Sequence, residues 1–96
     1  MRYFHRTSLS PDQVLGAAKR YFGARFAPSE EAARRLGYSG AVGKVTVTVR
    51  AEGGHYTLVE VQTDQVGESE LDRLAKRFLA EVHQQAEPTH EVRGAY

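Results

Sequence analysis

From Lys44 to Arg50 the chain alternates valine with a polar residue at every step. Period-2 alternation of β-branched residues predicts a strand with one buried face, here Val45, Val47 and Val49. Gly53-Gly54 then supplies a turn free of any Cβ penalty. A second strand is predicted over 56–63, with Thr57, Val59, Val61 and Thr63 on one side and Tyr56, Leu58, Glu60 and Gln62 on the other. A single hairpin is marginal in water, so its valine face needs cover.

Helical spacing on either side provides that cover. Ser10-Pro11-Asp12-Gln13 joins an N-cap, a proline at the first helical position and a capping box. Val14, Leu15, Ala18, Phe22 and Phe26 then share one face of a helix ending between Gly23 and Phe26. A last helix opens at Glu68 or Ser69, with Asp72 at capping-box distance. Its apolar stripe is Leu71, Leu74, Ala75, Phe78, Leu79 and Val82, and Asp72–Lys76 and Arg77–Glu81 pairs mark its outer face. Pro88 blocks its extension.

Residues 2–9 read as a first strand, with Tyr3, His5 and Thr7 on one face and Phe4, Arg6 and Ser8 on the other. Ser29 is placed to cap a short helix over 30–36, stopped by Gly37 and laced by Glu30–Arg34 and Glu31–Arg35 pairs. Residues 38–43 read as a loop, 64–67 as a turn, and the aperiodic 89–96 as a flexible tail.

The predicted fold is α+β. It is a two-layer sandwich ordered β-α-(short α)-β-β-α, with a three-stranded, mainly antiparallel sheet and helices on one face. One domain covers 1–88. The uncovered face of the sheet would carry Thr46, Thr48, Tyr56 and Leu58, more apolar than solvent contact requires. These four are the candidate partner-binding residues. Self-association as a homodimer, through that face or a strand edge, is the leading functional expectation.

Composition bounds the alternatives. The chain has 96 residues, 41% hydrophobic and 26% charged, which suits one globular core and leaves little room for a large internal cavity. It has no cysteine, which excludes disulfides, thiolate metal sites and cysteine nucleophiles and agrees with a reducing cytoplasm. No apolar run is long enough for a signal segment or a membrane span.

The net charge of +1 conceals an asymmetry: residues 1–50 hold nine Lys/Arg against three Asp/Glu, and residues 51–96 hold four against nine. Basic and acidic elements packed side by side would explain it. A polyanion-binding patch formed by Lys19, Arg20, Arg34, Arg35 and Lys44 is a further alternative, ranked lower because the sequence pI of about 8.1 falls short of a dedicated nucleic-acid domain.

The junction Thr7-Ser8-Leu9-Ser10-Pro11-Asp12-Gln13-Val14, with Leu71 to Val82 as a closing helix, resembles the helix-grip fold of START-like lipid-binding and polyketide-cyclase-like proteins. That resemblance implies binding of a small apolar ligand. Those domains have several further strands walling the cavity, so a cavity here would require two chains.

Catalytic and metal chemistry find little support. His5, His55, His83 and His90 fall on four different predicted elements, with no HExxH or helical ligand spacing. Gly40-Ala41-Val42-Gly43-Lys44 precedes a strand, whereas a phosphate loop opens a helix. No GxSxG elbow is present. The expectation is a non-catalytic module with no cofactor and no metal.

Overall fold

A computed structural model of the chain describes residues 1–87. The expected tail over 89–96 lies outside them. The first strand, β1 (Arg2–Thr7), leads into α1 (Pro11–Gly23). Ser10 caps α1: its hydroxyl accepts from the Gln13 N–H at 3.2 Å, and the Gln13 side chain accepts from the Ser10 N–H at 2.8 Å. Then come β2 (Ala27–Ala32), β3 (Arg35–Gly40), β4 (Gly43–Glu52) and β5 (Tyr56–Thr63), and α2 (Glu70–Ala86) follows.

The fold is α+β, with five antiparallel strands and two helices among the described residues, in the sheet order β1-β5-β4-β3-β2. The expected sheet of three strands is thus enlarged by a hairpin. β2 and β3 occupy the segment read as a short helix over 30–36 and a loop over 38–43. The reason lies in Leu36 and Tyr38. They alternate around Gly37, and both are buried, pairing across to Val47 and Val45 on β4. A helix with a single large apolar residue could not compete with that burial.

The expected i,i+4 ion pairs are replaced as well. Glu30 meets Arg35 across the hairpin at 2.9 Å, and Glu31 reaches Lys19 on α1 at 2.8 Å. β2 is exposed throughout, contains Pro28, and shifts register between Pro28 and Glu30. These are the devices that keep an edge strand from recruiting another chain.

Both helices lie on the valine face. Val45, Val47, Val49, Val59 and Val61 meet Val14, Ala18 and Phe22 of α1 and Ala75, Phe78, Leu79 and Val82 of α2 in one continuous core. Phe22 and Phe78, both fully buried, have ring centroids 5.1 Å apart. Each such side chain contributes about 1.5–3 kcal/mol of burial free energy.

β1 joins the sheet through β5, with Tyr3, His5 and Thr7 opposite Val61, Val59 and Thr57. That register settles which face of β1 turns to the core. α2 is fixed there by Asp72, which was expected on the outer face beside Lys76 but is 0% exposed. Its Oδ1 accepts from the hydroxyls of Tyr3 at 2.9 Å and Thr63 at 2.8 Å, and its Oδ2 accepts from the Ser69 hydroxyl at 2.5 Å. The Asp72 N–H in turn donates to Ser69 Oγ at 3.1 Å. Burial pushes the carboxyl pKa up, but the three hydroxyl donors outweigh it and hold the group below its ordinary range. The Tyr3 phenol is pushed up to about 12 by burial and then by its bond to Asp72.

Gly43 begins β4 at φ +129°, and a Cβ there would fall 2.5 Å from Asp64 Oδ1 and 2.6 Å from Gln65 Nε2. Asp64 occupies that space to accept the Lys44 N–H at 2.9 Å.

Two stability predictions follow from these contacts. Gly43→Ala should cost about 1–3 kcal/mol from backbone strain alone, with the clash adding to it. Gly53→Ala, at φ +60° with open space around it, should cost only about 1–2 kcal/mol. Urea denaturation of the two variants measures the contrast. Asp72→Asn should cost roughly 1–3 kcal/mol, since an amide turns a donor toward hydroxyls that need an acceptor.

The sign of the acid dependence follows from the depressed folded-state pKa. The stabilisation from Asp72 is complete above the unfolded value of about 3.9 and is lost as pH falls through the lower folded value. Stability measured against pH should lose this acid limb in Asp72→Asn.

Candidate interaction surface

The side of the sheet away from the helices is built by the residues that alternate with the core. Strand pairing places them in transverse rows. Phe4, Glu60, Thr48 and Arg35 form one row, and Arg6, Leu58 and Arg50 form the next. Tyr56 and Glu52 lie opposite each other at the end of the β4–β5 hairpin. Phe4 is 55% exposed and Tyr56 56%. A shallow cleft of about 260 Å³ opens among Arg2, Phe4, Thr48, Arg50, Leu58 and Glu60.

Most of the charges on this face are paired, Lys44 excepted. Arg2 lies 3.5 Å from Glu60, Arg6 2.9 Å from Glu52, and Arg50 3.7 Å from the same Glu52. Arg6 and Arg50 sit opposite Leu58 from the two neighbouring strands, while their guanidinium groups are drawn toward Glu52. Their aliphatic stems can therefore pack along the leucine while the charged ends remain in water. Exposed pairs of this kind are worth about 0–1 kcal/mol each. They do more to set the pattern of sign across the face than to stabilise the fold.

All four candidate partner-binding residues, Thr46, Thr48, Tyr56 and Leu58, fall on this face. Phe4, Arg2, Arg6 and Arg50 join them and were not singled out from the sequence. The signal was present: two arginines flank Phe4 at period 2, and charge on one face of a strand marks it as the side turned to solvent.

The candidate anion-binding residues do not gather in one place. Lys19 and Arg20 project from α1, Arg34 sits in the β2–β3 turn with its carbonyl accepting the Val49 N–H at 3.0 Å, and Arg35 and Lys44 lie on the open face. Lys19 and Arg35 already have glutamate partners.

Two of the four histidines come together. His5 on β1 and His83 on α2 meet edge to face with ring centroids 5.8 Å apart, a contact that their sequence separation conceals. Burial and then the neighbouring His83 lower the His5 pKa. Among the described residues no three His, Asp or Glu side chains gather as a metal site, and no helix is long and apolar enough to cross a membrane. No protein-family model matches the chain, and neither does any curated protein.

Proposed function

We propose that this chain is a small non-catalytic module that self-associates through the open face of its sheet. The observation that carries this reading is the composition of that face: exposed Phe4 and Tyr56, with Leu58, among arginines paired with Glu52 and Glu60. A two-fold contact presents the same patch to itself, so the patch must be complementary to its own copy. Interleaved charges of both signs meet that condition. A surface for a polyanion would carry one sign.

The guarded β2 edge supports the face over that edge as the contact. Phe4→Asp with Leu58→Asp should leave circular dichroism unchanged and convert the dimer to a monomer in light scattering, weakening association at least about tenfold for the buried aromatic alone. Parent protein that is monomeric at high concentration would remove the reading, as would a double variant that still dimerises.

A further inference from the structure

We propose that the cleft between α1 and α2, on the layer opposite the open sheet face, binds a small organic anion: a carboxylate or phosphate carried on an apolar body. The cleft encloses about 300 Å³ and is lined by Ala17, Arg20, Tyr21, Arg25, Phe78 and Glu81. That volume lies at the lower end of small-molecule sites. Its accessible apolar part is the half-buried ring of Tyr21, backed at 5.6 Å by that of the fully buried Phe78.

Arg2, Arg6, Lys19, Arg35 and Arg50 each face a carboxylate. The cations of the cleft, Arg20 and Arg25, like Arg34, Lys44, Arg73 and Lys76 elsewhere among the described residues, form no ion pair. The expected Arg77–Glu81 pair does not close either.

Arg25 is held in place. Its Nη1 donates to the Tyr21 carbonyl at 2.6 Å, and its guanidinium carbon lies 4.2 Å from the centroid of the Tyr21 ring. A guanidinium has five N–H donors, so the anchoring bond leaves most of them for a ligand. Burial pushes the Tyr21 hydroxyl up, and Arg25 and Glu81, which share the cleft lining with it, act on it in opposite directions. Within the cleft lining, two guanidinium groups, Arg20 and Arg25, face one carboxylate, Glu81. An excess of positive charge beside the Tyr21 ring suits an anion with an apolar tail.

The test uses the full chain, with octanoate, phenyl phosphate and inorganic phosphate as probes in isothermal titration and thermal denaturation. Saturable binding of octanoate assigns the site to carboxylates, and of phenyl phosphate to phosphate esters. Inorganic phosphate, which lacks the apolar body, should bind at least about tenfold more weakly than the organic probe. Arg20→Gln with Arg25→Gln should weaken the bound probe about tenfold or more. Glu81→Gln, which removes the opposing charge, should tighten it.

Saturable binding of neither organic probe overturns the proposal, as does an affinity that the arginine substitutions leave unaltered. If the double variant fails to fold, Glu81→Gln decides: affinity that is unchanged or weaker rejects the site. Light scattering on the same samples keeps the outcome separate from self-association, because neither proposal requires the other.

Discussion

A single buried carboxylate ties the two layers together. Asp72 belongs to α2, but its acceptors are satisfied from β1, from β5 and from the residue capping its own helix. A charge so placed is costly unless every lone pair is engaged. The three hydroxyls that engage it can do so only when the helix, the first strand and the last strand stand in one mutual arrangement. The apolar core between sheet and helices tolerates small slides. The hydroxyl cage does not, and so it sets the register of α2 against the sheet. β1 then takes its position from both sides, by ladder bonds to β5 and by the Tyr3 phenol to α2. The open face inherits its geometry from this, since Arg2, Phe4 and Arg6 are the alternate residues of that strand.

Local chemistry made some of this legible and left the rest obscure. Ser10-Pro11-Asp12-Gln13 announces a helix by capping groups that act within one turn, and the valine ribbon announces a strand by a period that nothing else produces. The segment 27–40 misleads for a physical reason. Its glutamates and arginines are spaced so that either a helix or a hairpin can pair them, and Ser29 can cap or bulge with equal ease. The decision falls to Leu36 and Tyr38, whose burial depends on α1 and β4, both distant in sequence. Asp72 is obscure in the same way. A helical wheel places it beside Lys76, and only the approach of Tyr3, sixty-nine residues away, explains why it is buried.

The charge asymmetry along the chain resolves into neighbours across the sheet. Arg2 from the basic half meets Glu60 from the acidic half because β1 lies beside β5, Arg6 reaches across β5 to Glu52 on β4, and Arg50 turns to Glu52 within β4. What looks in sequence like separated blocks of opposite sign becomes, on the sheet, an interleaved surface. Cations left out of that neutralisation include those at the junction of the helices. The resemblance to helix-grip domains bears on the same layer: here Phe22, Phe78, Val59 and Leu79 fill the space between sheet and helices, and the cleft lies outside that core, between the two helices.

The strand order also constrains the order of assembly. β2 to β5 form a meander whose turns bring together residues close in sequence, whereas β1 pairs with a strand some fifty to sixty residues downstream. Closing so long a loop is entropically disfavoured until its partner exists. A nascent chain must therefore hold Tyr3 and Phe4 in solution until the C-terminal half has left the ribosome. During that interval the short aromatic strand is flanked by Arg2 and Arg6, cations that discourage it from pairing with other chains.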